Sequence, residues 1–431
     1  MVFAACLGLI LSAAPAQETF PTFFARGGLE AGVLGLPAPV TGGDIDLYAV
    51  AHPYLGFHFD GYQRLEIGAA LRFMVLARDG RAGTPGNPLI RARDWDELSD
   101  FGQILESLRL GKPEQGLRLR AGALGAVTLG HGHVIHRYSN QWSPDYHPAG
   151  AYLAAKLDAF SAEVMASDVL GLRLFAAELG LDIPYAMGMP KHTRQGIEVA
   201  ASFAHDFGRA GGVSPSLSVT HFDVRFGLVR NDKFRFQIVG GAGLRVEPQP
   251  AWGGLIGLQA LGEPDGYQVR GRFEVRRQGG RYRTGFFGPG YELARFSGIG
   301  LTRAPHALEA LPTAFSFHGE FVWRRVGFFS GNASFETSLA AEYFEFGRFD
   351  ADMALSVGFA KDHGLVTLRV LAMGVGQAPR WVLSADFRMR FGPAFFVFVQ
   401  GGTVYFPEAS VGLARGISAS LGMGLDFGPQ G

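Results

Sequence analysis

The chain has 431 residues, and its 39 basic and 39 acidic side chains give a formal net charge of zero. This balance gives no support for nucleic-acid binding, which favours a basic stripe. Only 18% of the residues are charged, whereas 62 glycines and 37 phenylalanines form an unusually large share. Such a composition suits many short strands closed into a barrel, and no shift in composition divides the chain into soluble domains.

Residues 1–16 (MVFAACLGLILSAAPA) predict an export signal peptide, because an apolar run precedes a small-x-small cleavage site at residues 14–16. A short buried or anchoring helix is the alternative. The only cysteine, Cys6, lies in this segment. The cleaved chain would therefore have no thiol for a disulfide or a metal. We expect residues 17–43 to form an N-terminal segment in the periplasm or the lumen.

Apolar and polar residues alternate with a period of two in many segments of residues 44–427. In residues 381–391, for example, every second residue is apolar and the others include Asp386, Arg388 and Arg390. No later stretch has the roughly 18 consecutive apolar residues of a membrane-spanning helix. A closed barrel is the other way to satisfy the backbone in lipid. The sequence therefore predicts an all-β, transmembrane, antiparallel up-and-down β-barrel.

The alternating segments predict about 18 strands (16–18). They begin near residues 44, 64, 117, 149, 160, 170, 195, 216, 233, 251, 266, 315, 333, 350, 364, 380, 394 and 413. Short turn-like joints, such as residues 361–364, are expected at the periplasmic end, where both termini would lie. Three insertions interrupt the strands, at residues 78–116, 128–148 and 277–314. The second and third would face outward, and the third is basic and aromatic.

The first insertion contains a predicted short helix near residues 93–110. Asp94 can cap its start with Glu97 as the capping-box partner, and apolar residues follow at helical spacing. By strand parity the insertion would lie at the periplasmic end or fold into the lumen. It would either fill the barrel as a plug or dock a periplasmic export or envelope partner. The candidate residues for either role are Trp95, Leu98, Phe101 and Leu105.

The second insertion reads TLGHGHVIHRYSNQWSPDYHPAG and supplies three outer-loop candidates, His131, His133 and His136. In an extended segment His131 and His133 share one face, as two metal ligands could, and Asp145 could add an oxygen. There is no established ligand spacing and no HExxH helix. A polar loop with aromatic contacts is the favoured interpretation, and we assign no metal and no other cofactor.

Charged residues on the polar faces of the strands are candidates for lining the lumen. Such residues can orient polar solutes and set ion selectivity. A structural salt-bridge network is the alternative interpretation. An excess of arginine near residues 266–276 and 380–391 suggests a weak preference for anions. The candidates are Arg118, Arg120, Arg235, Arg270, Arg272, Glu274, Arg276, Glu336, Glu342, Arg380, Asp386, Arg388 and Arg390.

The last strand-like segment has Ile417, Leu421, Leu425 and Phe427 on its apolar face. It resembles the closing strand of bacterial outer-membrane barrels, except that a tail, residues 428–431, follows the phenylalanine. The resemblance implies a porin-like barrel in the cell outer membrane, in contact with outer-membrane lipid and recognised by the barrel-assembly machinery. The TLGHGH segment is weakly similar to part of uncharacterised outer-membrane proteins, which implies no function.

Enzymatic motifs are absent from the sequence, which has no GxSxG elbow and no GxxxxGK[ST] loop. We therefore expect no enzyme. The favoured function is an outer-membrane channel that passes or exports polar solutes, one form of which is a polysaccharide-export porin. The alternative is a non-conducting structural barrel that anchors an outer-membrane and periplasmic multiprotein machine. Fold alone does not choose between them.

Overall fold

The computed structural model describes most of the barrel and its connections. The predicted signal peptide and the C-terminal tail lie outside the described residues. The described residues are 23–37, 45–59, 63–76, 90–111, 116–141, 146–189, 196–208, 216–230, 233–246, 250–263, 267–296, 312–328, 333–359, 363–377, 379–392, 394–408 and 412–427.

Strands account for most of these residues. In chain order they are β1 (Phe23–Pro37), β2 (Ile45–Phe59), β3 (Gln63–Gly68), β4 (Leu71–Leu76), β5 (Leu105–Leu110), β6 (Leu117–Gly122), β7 (Gly150–Leu157), β8 (Phe160–Ala166), β9 (Leu174–Asp182), β10 (Ile197–Asp206), β11 (Leu217–Arg230), β12 (Phe234–Arg245), β13 (Ala251–Gly262), β14 (Tyr267–Gln278), β15 (Ala314–Phe328), β16 (Ala333–Phe344), β17 (Arg348–Phe359), β18 (Gly364–Val375), β19 (Arg380–Phe391), β20 (Phe395–Glu408) and β21 (Gly412–Phe427).

The sheet closes on itself because β1 pairs antiparallel with both β2 and β21. Twenty of the 21 strands form the ring, and each pairs with its neighbours along the chain. The additional strand, β4, continues the direction of β3 and pairs with the first half of β2. The expected closed antiparallel barrel is confirmed, but the expected count of about 18 strands is wrong.

One of the two missed strands, β1, lies in the segment that was expected to precede the barrel. Its sequence FFARGGLEAGVLGLP contains Gly27, Gly28, Gly32 and Gly35, which interrupt the apolar alternation. Pairing on both sides nevertheless stabilises it as a full barrel strand. Sequence alternation alone does not report this stabilisation, because the partners lie elsewhere in the chain.

The other missed strand, β5, lies within the predicted helix near residues 93–110. Only short 3₁₀ helices form there, at Ala92–Asp94 and Leu98–Ile104. Leu105 and Leu108 continue the apolar spacing of the second helix, but both belong to β5, which pairs with β3 and β6. The other helices among the described residues are also short, at Ile183–Ala186 and Tyr291–Phe296. Among the described residues, no helix is long and apolar enough to cross a membrane.

The two ends of the barrel differ in their connections. We call the end where β1 begins and β21 ends the near end, and the opposite end the far end. Because β5 adds one crossing, the described residues 90–104 of the first insertion lie at the far end, as do the described parts of the other two insertions. For residues 90–104, the expectation of a position at the same end as the termini is therefore wrong.

The two faces of the sheet differ in polarity. On β21, Ile417, Leu421 and Met423 are 68%, 63% and 56% exposed on the outer face. On its inner face a Cβ at Gly424 would overlap the Phe396 ring, so glycine there makes room for an aromatic from β20. The apolar outer face and the polar inner face follow directly from the period-two alternation.

Candidate functional site

Two far-end connections fold back into the barrel and form what we call the plug, residues 124–141 and 279–296. Its two halves join where Ile135 pairs in parallel with Phe287. The His136 N–H donates a hydrogen bond to the Phe287 carbonyl oxygen at 3.2 Å. The plug is therefore one packed unit built from the second and third insertions.

A tight hairpin shapes the first half of the plug. Val127 and Tyr138 exchange two backbone hydrogen bonds, each of 2.8 Å. Between them, Gly130 and Gly132 have φ angles of 43° and 74°. Glycine enters this left-handed region without the steric cost that a Cβ would bring. The repeated glycines of the LGHGH sequence thus let the chain reverse and direct its histidines toward the barrel wall.

An apolar core attaches the plug to the far ends of β8–β11. Full burial of a large apolar side chain is worth about 1.5–3 kcal/mol, so this many contacts hold the plug firmly. The core contains Leu124, Val127, Leu129, Val134, Ile135, Tyr138, Tyr282, Phe286, Phe287 and Tyr291 of the plug, packed with Met165, Leu174, Ala176, Ala204, Leu217 and Val219 of the strands.

A buried polar network lies beside this core and centres on His133. Its Nδ1 is hydrogen-bonded to Asp223 of β11, and its Nε2 lies 2.9 Å from Glu274 Oε1 of β14. Glu274 also accepts hydrogen bonds from Arg272 and Arg276. Asp223 and Glu274 are fully buried. Buried charges of this kind persist only when they are paired and hydrogen-bonded.

The three histidines expected in an outward-facing loop are buried inside the barrel. His131, His133 and His136 are only 7%, 1% and 7% exposed. His131 Nε2 accepts a hydrogen bond from Arg225 of β11. The expectation of an outer loop fails because carboxylates and arginines of distant strands supply partners for these rings. Asp145 lies outside the described residues.

The first insertion is held at the far end by a buried ion pair. Asp94 lies 2.9 Å from Arg72 of β4 and is also bonded by Arg91. Burial alone would raise the pKa of Asp94, but the nearby His147 ring and these two arginines hold the pKa at about 2. Asp94 therefore carries a charge at neutral pH and connects the first insertion to the barrel wall.

The predicted plug or docking residues of the first insertion do not enter the plug. Leu98 and Phe101 are 64% and 48% exposed. Trp95 is half-buried, and its ring meets Phe101 edge to face with 5.7 Å between centroids. Leu105 begins β5. The plug that occupies part of the lumen comes instead from the second and third insertions, so the plug interpretation of these four residues is wrong, whereas partner docking stays a prediction.

The structure places the 13 lumen candidates on the inner face at different depths. Those near the plug are buried, and those toward the near end meet solvent. Arg272, Glu274 and Arg276 are buried; Arg270, Glu342, Arg380, Asp386, Arg388 and Arg390 are half-buried; Arg118, Arg120, Arg235 and Glu336 are exposed. Their role in selecting solutes stays a prediction.

One side of the inner face, which we call the open wall, keeps polar side chains in contact with solvent at mid-height. It comprises the inner residues of β19, β20, β21 and β1. Ser384 and Gln400 are exposed there. Arg388 is 38% exposed and donates a hydrogen bond of 2.5 Å to Glu30. This differs from the packed wall, the inner face of β8–β17, which the plug covers.

A cavity of about 250 Å³ remains between the plug and the far ends of β14–β19. Both charge signs line it, including Arg276, Glu342, Asp352 and Arg380. The Arg137 side chain of the plug reaches Asp352 of β17 at 2.7 Å on one edge. The cavity can therefore hold water or a small polar molecule, but it is bounded by the plug.

Several residues that build this site are not among the candidates predicted from the sequence. Asp223 and His221 on β11 and His318 and Glu320 on β15 are all buried on the inner face. Tyr282 of the third insertion stacks near His221, with 6.2 Å between ring centroids. In the sequence, both pairs could have been recognised by the same pattern, a histidine and a carboxylate two residues apart on one predicted strand. This spacing places both side chains on the same face of the strand.

The closed ring, the apolar outer face and strands of mostly 12–16 residues in the regular part of the barrel define a transmembrane β-barrel. In a closed barrel, every backbone group on the lipid side pairs within the sheet. The protein is therefore a transmembrane β-barrel of the kind found in bacterial outer membranes, as the resemblance of its last strand implied.

Comparison with protein-family models finds no match, and comparison with curated proteins finds none either. Solved outer-membrane porins align with almost the whole chain at low similarity. OccK11 (OpdR) of Pseudomonas aeruginosa is 10% identical, covering 95% of this chain and 96% of its own, with a TM-score of 0.37. OccK9 (OpdG) of the same organism is 10% identical, and the alignment covers 95% of this chain and 99% of that protein, with a TM-score of 0.36. A porin refined at 1.8 Å is 10% identical, and the alignment covers 94% of this chain and 100% of that protein, with a TM-score of 0.33.

Proposed function

We propose that this barrel is an outer-membrane channel that passes small polar solutes or ions along its open wall. The single observation that carries the proposal is the exposure of Ser384, Gln400 and Arg388 at mid-height, where the corresponding residues of the packed wall are buried. Water-accessible polar groups that cross a barrel can replace part of the hydration of a solute.

The charge of the open wall supports a preference for anions. Arg388 and Arg390 reach the carboxylates of Glu30 and Asp426, each at 2.5 Å, yet both arginines retain exposed surface. Arg26 adds a further guanidinium beside them, paired with Glu66. Arginine forks favour carboxylate and phosphate groups. Small organic anions are therefore the solutes that this wall fits best.

A planar-bilayer recording of the purified, folded barrel tests the proposal. Discrete conductance steps with a reversal potential that favours the anion are expected under a salt gradient. Folded protein that gives no steps would favour the second candidate, a non-conducting structural barrel. The plug covers the far half of the packed wall, and this supports the non-conducting alternative.

Polysaccharide export is a narrower form of the channel proposal and requires displacement of the plug. The exposed Leu98 and Phe101 lie at the far end, whereas the near end bears the short turns expected to face the periplasm. Docking of a periplasmic export or envelope partner at Leu98 and Phe101 would require the far end to face the periplasm, and it stays a prediction. That the chain is not an enzyme stays a prediction.

A further inference from the structure

Two groups of histidine and carboxylate side chains lie beside the plug with metal-ligand geometry. One consists of His131, His133 and Asp223, and the other of His136, His318 and Glu320. Within each group the ligand atoms all lie within 4.8 Å of one another. The hydrogen bonds around the two groups differ, and this difference decides which one can accept an ion.

His131 Nδ1 and Asp223 Oδ2 of the first group have no hydrogen bond among the described residues, but the other ligand atoms of this group are already bonded by the protein. Both ring nitrogens of His133 are bonded to carboxylates, and His131 Nε2 accepts a hydrogen bond from Arg225. A metal ion there would have to break these bonds. This group is better described as part of the network that attaches the plug to β11 and β14.

The second group lacks such partners. His136 Nε2, both ring nitrogens of His318 and Oε2 of Glu320 are buried without a hydrogen-bond partner among the described residues. Each buried unsatisfied polar atom costs about 1–3 kcal/mol. Four such atoms in one place indicate a ligand that satisfies them together.

The spacing of this group fits a tetrahedral ion. His318 and Glu320 are two residues apart on β15 and share its inner face, while His136 approaches from the plug. The His136 Nε2 and Glu320 Oε2 atoms are 3.4 Å apart. Ligand bonds of about 2.0–2.2 Å to Zn²⁺ in a tetrahedral arrangement place neighbouring ligand atoms roughly this far apart.

The charges that surround the second group are paired with one another. Arg272 and Arg276 lie nearby and are both bonded to Glu274. Arg276 also pairs with Glu342 at 3.1 Å, and Arg272 Nη1 lies 3.8 Å from Glu320 Oε2. The carboxylates of Glu274, Glu342 and Glu320 balance the charges of Arg270, Arg272 and Arg276, so the arginines leave no net positive charge beside the group.

We propose that His136, His318 and Glu320 bind a divalent first-row transition metal, for which Zn²⁺ is the best match. Two imidazoles and one carboxylate are a known donor set for zinc with a fourth position open. His136 and His318 also line the 250 Å³ cavity, so the open position can face it. Because His136 belongs to the plug and the other two ligands belong to β15, the ion links the plug to the barrel wall.

Cobalt(II) titration of the folded, full-length barrel in detergent tests the site, since Co²⁺ replaces Zn²⁺ and absorbs visible light. The expected result is absorption that saturates at one ion per chain and is abolished by Zn²⁺. His318→Ala and Glu320→Gln should each weaken Co²⁺ binding by at least about 100-fold, because even outer-shell partners contribute about 10–100-fold. His205→Ala is the matched control, because His205 is paired with Ser218 outside both groups and should leave binding unchanged.

Heat-dependent gel migration reports whether each variant has folded. If His318→Ala does not fold, Glu320→Gln decides the question, because it keeps the size of the side chain. Absence of stoichiometric Co²⁺ binding by the folded wild-type barrel would overturn the proposal. So would absorption that persists in a folded His318→Ala or Glu320→Gln variant, because the ion would then lie elsewhere.

Discussion

The packed wall and the open wall are built from the same alternating strands, yet their charged residues do different things. On the packed wall Glu274 is fully buried and bonded to His133 and two arginines. On the open wall Arg388 is paired with Glu30 but remains 38% exposed. The difference arises from the plug, which removes water from one side of the lumen and leaves it on the other. Whether a charged residue on a barrel strand is sealed in a buried ion pair or meets solvent therefore depends on what covers it.

Removal of the plug should have the largest effect on this difference. Replacing residues 126–147 by a short Gly/Ser linker removes the first half of the plug and exposes the packed wall. We expect a several-fold increase in single-channel conductance, because a barrel of this size encloses a wide lumen. Leu98→Ser is the control, since Leu98 lies outside the plug. Unchanged conductance after removal would mean that the plug does not restrict the passage.

Neutralising one buried carboxylate should destabilise the packed wall. Glu274→Gln removes the negative charge of the carboxylate to which both Arg272 and Arg276 are bonded. Breaking a buried ion pair in this way costs about 3–5 kcal/mol, which urea unfolding can measure. Glu336→Gln is the matched control, because Glu336 is 54% exposed and lies 3.7 Å from Arg324, so it should cost less than about 1 kcal/mol. Equal losses in the two variants would contradict the claim that burial beside the plug makes the Glu274 ion pairs important for stability.

Acid should release the first insertion from the barrel wall before it unfolds the ring of strands. The folded-state pKa of Asp94, about 2, lies below its ordinary 3.8. The stability from its ion pairs is therefore present above pH 3.8 and is lost as the pH falls toward about 2. The shift corresponds to about 2 kcal/mol. Pepsin cleavage within residues 90–104 should rise across this window.

Asp94→Asn provides the comparison for the acid experiment. Asparagine does not titrate, so this variant should already be cleaved readily at the upper end of the window and should change little below it. Equal cleavage of the wild-type chain at pH 3.8 and at about pH 2 would show that the buried ion pair does not hold the insertion.

Charge reversal on the open wall should change selectivity by a smaller amount. Arg388→Glu replaces a partly exposed cation with an anion and should reduce the anion preference about two- to fivefold, since charges 4 Å apart in water interact by about 1 kcal/mol. Arg277→Gln is the control, because Arg277 lies on the outer face, 4.8 Å from the Trp252 ring centroid. An equal shift of the reversal potential in both variants would show that the open wall does not determine the ion selectivity.

The sequence predicts the barrel well because alternation is a local property. All 18 expected strands have counterparts, and only the glycine-rich β1 and the short β5 are missed. The site was predicted less well because its partners are distant in the chain. His133 and Glu274 are separated by 141 residues, and His133 and Asp223 by 90. A histidine-rich segment looks like an exposed loop until the carboxylates of the opposing strands are placed beside it.

A recording of single-channel currents from the purified wild-type barrel under a salt gradient is the decisive test of the proposed channel. We expect stable steps whose reversal potential favours the anion, because solutes would pass the exposed arginines of the open wall. Folded protein that gives no conductance in the wild type, and none after removal of residues 126–147, would contradict the proposed channel.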